Sequence, residues 1–262
     1  MPLSLLSHIV RDGTPRIKSV TRALAMLDTV IADGGCSGVA ALARKVGMPL
    51  ATAHRQVTTL VSEGYLTPSG KGRHQAGSRL LGLLHRLNEK QVVANVAASA
   101  LHELATRVRS VVQLGTLEND MVTYRIKSGR GAGDLFTRVG MQMEAYCSGI
   151  GKALLAHLPD TERDAYLAAG PFVALTDRTI TDPAILRQEM EGIREQGYAL
   201  DDGEIADGLR CLAVPIHKGD GSVLAAISVS QSDRSRTRIA DAELLVMLRA
   251  CARRIEMETF GK

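Results

Sequence analysis

Between Val39 and His74 the chain reads VAALARKVG, MPLATAHRQVTTLVSEG and YLTPSGKGRH, and this stretch limits the possible folds more than any other. In its first piece Val39, Leu42, Ala43 and Val46 recur on one helical face, and Gly47 is the residue a tight turn between helices favours. Pro49 follows where a helix start tolerates a missing N–H. In the second piece Ala53, Val57, Leu60 and Val61 form the apolar face. Ala51, Thr52, Arg55, Thr58, Thr59 and Ser62 are left on or near the other side, which carries no acidic residue. After Gly64, Tyr65 and Leu66 open a short strand that Pro68, Ser69, Gly70 and Gly72 turn, with Lys71 and Arg73 charging the tip. Helix, turn, helix and basic hairpin is the plan of a winged helix-turn-helix, whose second helix enters a major groove while the wing lies along phosphates. A plain helical hairpin with Arg55 solvated, or with Arg55 buried as a structural residue, is the alternative.

The charge distribution bears on that choice. Residues 1–90 hold 12 Lys+Arg against 5 Asp+Glu, and the remaining residues hold 20 against 23, so the net +4 of the whole chain conceals a basic front and a mildly acidic rear. Counterion release from a nucleic acid would use the basic part; a solubility feature is the plainer reading. At 262 residues there is room for two domains. No apolar run approaches the roughly 20 residues of a membrane helix. The start of the chain has Leu3, Leu5, Leu6, Ile9 and Val10 without a basic lead or a cleavage site, so we expect a flexible arm over 1–16 and a cytoplasmic protein. Cys36, Cys147, Cys211 and Cys251 make no CxxC pair and no zinc spacing, as reduced thiols would.

Upstream of the bipartite motif, Val20, Leu24, Leu27 and Ile31 predict a helix that ends at Asp33, Gly34 and Gly35 and packs behind the other two. Downstream, Leu80, Leu81, Leu83, Leu84 and Leu87 predict a leucine-rich linker helix over 79–91, with a second helix from about 92 to 108. These helices either pair with a twin in a dimer or pack onto the second domain. From Ser110 the period changes to that of strands: VVQLGTL and MVTYRIKSG form a hairpin, and LRCLAVPIHK and SVLAAISVS form another across Asp220-Gly221. Helices are expected from Ser148, near 161–168 and 183–196, and over about 238–258, with a strand from Tyr198. The whole is α+β with a mostly antiparallel sheet in its second domain.

Three segments, ALARKVGMPLATAHRQVTTLVSEGYL, AYCSGIGKALLAHLP and GYALDDGEIADGLRCLAVPI followed by AAISVS, stand in order along the chain, and on them it resembles the IclR family of bacterial transcriptional regulators. The resemblance implies an N-terminal winged helix-turn-helix (17–78), a linker helix (79–91) and a GAF-like effector-binding domain (92–262), assembled as a homodimer or a dimer of dimers on a palindromic operator. It implies repression of a catabolic operon, relieved by a small organic acid, hydroxy acid, semialdehyde or lactone, and no cofactor. His74, Gln75 and Ala76 replace the aromatic and leucine usual after the wing.

Carried over residue by residue, DNA contacts fall on Ala51, Thr52, His54 and Arg55, with Lys71 and Arg73 on the backbone. The effector pocket falls on Leu135 as lid, Gly149, Ile150, Asp201, Leu209, Cys211, Ser228 and Ser230. Strand alternation supports that pocket, because Leu209 and Cys211 share one side, as do Ser228 and Ser230. The helix start after Ser148 is also a ready anion site. Two other readings remain: a GAF-like enzyme with Cys211 or Cys147 as nucleophile, which needs a base from His102, His157 or His217, and a thiol or metal sensor using Cys147, Cys211 and a histidine.

Overall fold

The computed structural model describes residues 15–232 and 238–261, and the chain divides into two compact units with the break between Asn88 and Glu89. Nearly all of the expected N-terminal arm lies outside the described residues.

In the first unit α1 (Lys18–Asp33), α2 (Val39–Val46) and α3 (Leu50–Ser62) surround a core of Met26, Val30, Leu42, Ala53, Val57 and Leu66. Gly47 closes α2 in the left-handed conformation at φ +69°, which a residue without a Cβ adopts at little cost, and the next amide, Met48 N–H, returns to Ala43 O. Pro49 is the N-cap of α3, one position ahead of its first turn. The apolar face expected for α1 is corrected: the core takes Met26, Leu27 and Val30, while Val20, Leu24 and Ile31 are exposed. This helix carries two apolar stripes one residue out of phase, and periodicity does not say which of them meets the core.

Strands β1 (Leu66–Gly70) and β2 (Arg73–Ala76) form the expected hairpin, but Pro68 and Ser69 belong to the strand and only Lys71 and Gly72 turn it. Both have positive φ (+50° and +70°), the geometry of a two-residue turn that follows the strand twist. At the base of the wing a Cβ on Gly77 would lie 2.2 Å from Gly64 O, so only glycine lets the two backbones meet. The segment expected as one linker helix holds α4 (Ser78–Leu84), a turn at His85 and Arg86, and the first residues of α5 (Glu89–Val108). Within the described residues α4 buries none of its leucines.

The second unit is built on a six-stranded, wholly antiparallel sheet in the order β5-β4-β3-β8-β7-β6. Its strands are β3 (Val111–Glu118), β4 (Met121–Ser128), β5 (Gln142–Glu144), β6 (Ala199–Asp202), β7 (Leu209–His217) and β8 (Val223–Ser232). Alternation sends Val112, Leu114, Leu212, Val214, Ile227 and Val229 to one face, where α5 and α9 (Asp241–Phe260) cover them. The opposite face carries Tyr124, Ala213 and Ala226 under α6 (Gly149–Ala156), with α7 (Asp160–Ala168) and α8 (Pro183–Gln196) outside it. Because the central strands are buried on both faces, they read as nearly continuous apolar runs. No helix of the described residues is long and apolar enough to cross a membrane.

Candidate functional sites

In the first unit, α3 turns Ala51, His54 and Arg55 to solvent, with Thr52 half-buried beside them. Arg55 is therefore not a structural residue of the core. Neighbouring charges are engaged: Lys45 bonds Asp33 at 2.6 Å, and Arg79 bonds Glu63. Among the described residues no acid meets Arg55, Lys71 or Arg73, all three exposed; the backbone of Arg73 forms an isolated antiparallel β-bridge with Gly38 at the start of α2. Burial and the nearby His54 hold His74 below the usual imidazole value, which favours its neutral form. The arrangement is an uncompensated cationic rim around an outward helix.

In the second unit, all eight residues inferred for the pocket (Leu135, Gly149, Ile150, Asp201, Leu209, Cys211, Ser228 and Ser230) line one small, tightly closed cavity of about 10 Å³, room for about one water. Register explains the grouping. Asp201, Cys211, Ser230 and Val111 stand opposite one another across four strands, and Ala213, Ser228 and Gln113 form the next row on the same face.

Ser148 caps α6 by accepting from Gly151 N–H at 3.0 Å, which leaves the first two helical amides, Gly149 and Ile150, without helical acceptors at the cavity wall. A Cβ on Gly151 would sit 2.1 Å from Ala145 O, and one on Gly149 3.2 Å from Cys211 O; the glycines bring α6 down onto the sheet. A strap between β4 and β5 closes the top, held by Gln113 donating to Thr137 Oγ1 at 2.8 Å and Lys127 donating to Leu135 O at 2.7 Å and to Thr137 O.

Asp201 is fully buried. Its Oδ1 accepts from Glu204 N–H at 2.8 Å, while Oδ2 has no N–H or O–H donor, only the weak Cys211 thiol beside it. Burial pushes this carboxyl up to about 6. Behind it Lys152, fully buried, bonds Glu204 at 2.5 Å and Glu189 at 2.9 Å. Burial alone would lower Lys152, yet the two carboxylates hold it above the usual ammonium value; burial raises Glu204 to about 7 against the pull of Lys152.

Sequence reasoning missed Gln113, Tyr124, Phe136, Thr137, Ser148 and Ile205 as lining residues. Gln113 had a signal, a lone amide inside an apolar strand at the same parity as the pocket face. Strap residues had none, since an irregular loop carries no period.

The cysteines are poor nucleophiles here. Burial and Asp201 push the Cys211 thiol far up and Cys147 is raised to about 12, so neither forms a thiolate readily; the groups beside Cys211 Sγ are Ser230 Oγ at 3.2 Å and the Asp201 carboxyl. His157 and His217 pack against each other, ring centroids 5.6 Å apart. Among the described residues no three His, Cys, Asp or Glu side chains gather as a metal site.

An outward helix with a basic wing, and a separate unit enclosing a small polar cavity, are the parts of a ligand-responsive DNA-binding regulator. Comparison with known proteins gives the family. The model described as "Bacterial transcriptional regulator IclR C-terminal" matches residues 85–257, and the IclR helix-turn-helix domain matches 19–70. The chain belongs to the IclR family of bacterial transcriptional regulators. It is 31% identical over 232 residues to the HTH-type transcriptional regulator XynR of Escherichia coli, covering 88% of this chain and 91% of that one. It is 30% identical over 246 residues to the Pca regulon regulatory protein of Pseudomonas putida (93% and 84% covered). Among solved structures, an IclR homolog complexed with 4-hydroxybenzoate from Microbacterium hydrocarbonoxydans superposes with a TM-score of 0.60 at 28% identity, covering 92% of this chain and 98% of that one.

Proposed function

We propose that this regulator reads a palindromic operator with Ala51, Thr52, His54 and Arg55 of α3, holds phosphates with Lys71 and Arg73, and represses a catabolic operon until a small acid, hydroxy acid, semialdehyde or lactone fills the cavity. The observation that carries the effector reading is the bare Oδ2 of Asp201, a buried acceptor on a residue that lines the cavity together with Gly149 and Ile150, the first residues of α6. A ligand hydroxyl or hydrated carbonyl would satisfy the Oδ2, and a carboxylate the amides of those two residues. The Microbacterium homolog's 4-hydroxybenzoate, an acid with a hydroxyl, has that chemistry.

A homodimer or dimer of dimers, working in the cytoplasm, completes the reading. Its support is apolar: Val20 and Leu24 on α1 and Leu81 and Leu84 on α4 are each more than half exposed, a cost that a second copy would remove. Effector binding then shifts the population of assemblies with correctly spaced recognition helices. A thermal-shift screen of small acids and their neutral analogues, 4-hydroxybenzoate among them, tests the cavity on the full chain. Stabilisation that Ser230→Leu abolishes supports it; stabilisation that survives Ser230→Leu places the ligand elsewhere and refutes it.

A further inference from the structure

We propose that the cavity takes up its acid effector together with one proton, and that Asp201 carries this proton as a hydrogen-bond donor facing the ligand. The inference rests on the cavity being the effector site and concerns the charge state in which the ligand is held.

The charges around the cavity are mostly negative. Asp201 and Glu204 are buried and Glu189 is half-buried, and the one cation facing them among the described residues is Lys152, already shared between Glu204 and Glu189. From the other packed elements, β4 contributes Tyr124, the segment before α6 contributes Cys147, and β7 contributes Cys211. All three are held neutral, their values raised chiefly by burial. Gln113, Ser228 and Ser230 carry no charge. The other nearby cations are turned to other partners: Lys127, under the strap, to Leu135 O and Thr137 O, Arg178 to Asp202, and Arg210 to Asp202 and Asp241. So no cation touches Asp201, and its Oδ2 has no strong donor.

A carboxylate seated on the Gly149 and Ile150 amides would add a further negative charge to that cluster, in an interior where like charges repel strongly. One proton removes the conflict. It leaves a water or buffer acid and binds Asp201 Oδ2, which in place of accepting from a ligand hydroxyl, as the ionised form would, donates its O–H to a carboxylate oxygen: Asp201–COO⁻ plus H⁺ plus RCOO⁻ gives Asp201–COOH···⁻OOC–R. The raised value of Asp201, about 6, and that of Glu204, about 7, agree with a cluster that already gives up protons reluctantly.

Calorimetric titration of the full-length protein with lactate, benzoate and 4-hydroxybenzoate, and with the methyl ester of each, tests this in buffers of different ionisation heat. For an acid that binds, the expected result is uptake of about one proton at pH values above the Asp201 midpoint, with affinity falling about tenfold per pH unit there. Asp201→Asn is expected to bind without proton uptake and with flat affinity over the same range. Should that variant not fold, Glu204→Gln serves instead: it removes one neighbouring carboxylate and moves the steep region to lower pH, and an unmoved region overturns the proposal. Acids that bind with no proton uptake, or uptake that persists in Asp201→Asn, also overturn it. Esters binding as well as acids, with no pH dependence, leave the cavity as the effector site and remove the proton; binding by neither class overturns both readings.

Discussion

Replacing Lys152 by methionine keeps the volume of the side chain and deletes its charge. In the wild type the Nζ lies 2.5 Å from Glu204 Oε1 and 2.9 Å from Glu189 Oε1, with almost none of the lysine side chain exposed. Breaking a buried pair by removing one partner costs about 3–5 kcal/mol, because the remaining charge stays desolvated. Glu204 can limit that cost by taking a proton, so the loss depends on pH. In the wild type its value is raised from 4.5 to about 7 by burial. For a carboxyl raised in this way the penalty is absent below the unfolded value, grows as pH rises toward the folded one, and is constant above it. Without Lys152 the folded value moves higher, so the variant goes on losing stability where the wild type has levelled off, by up to about 1.4 kcal/mol per pH unit. Urea unfolding followed by far-ultraviolet circular dichroism, at about pH 6 and about pH 8.5, reads the effect. The expected outcome is a modest deficit at the lower pH and one near the full 3–5 kcal/mol at the higher. An equal deficit at both, or none, would refute the reasoning.

Arg55→Ala is expected to weaken binding of a cognate duplex by about 1–3 kcal/mol, roughly 5- to 150-fold, and to relax the preference at one base pair. Its melting temperature should stay at the wild-type value, since the side chain is exposed. Lys71→Gly relieves a left-handed backbone position yet removes the phosphate contact proposed for it, so a more stable wing should accompany a salt slope reduced by about one; an unchanged slope would take Lys71 off the DNA. Gly151→Ala drives a Cβ into a backbone oxygen and should cost about 3 kcal/mol, the upper end of overpacking, seen as a large fall in melting temperature. Gly149→Ala meets a milder contact and narrows the cavity, so ligand-induced thermal shifts should vanish while DNA binding at low salt persists.

Periodicity and punctuation made α3, the wing and both hairpins of the second unit legible, because each has one apolar face and glycine at its ends. The eight pocket residues came from resemblance and were consistent with strand parity; parity also pointed to Gln113, had it been applied to β3. What stayed hidden has physical causes. The helix α1 has two apolar stripes, and the choice between them is made by Leu42 and Val57 from other helices. Lys152 sits in the apolar run GIGKALLA, where its burial depends on Glu189 and Glu204, 37 and 52 residues away. The turn at His85 and Arg86 inside the leucine-rich stretch carries neither glycine nor proline to announce it.

That the first unit grips duplex DNA is the claim on which the rest depends, and fluorescence anisotropy of the full-length protein with a labelled duplex from directly upstream of its own coding sequence tests it most directly. The expected result is saturable binding at low salt, with log K falling linearly in log salt at a slope that shrinks in Lys71 and Arg73 variants. No binding at low salt, where phosphate contacts are strongest, would contradict it.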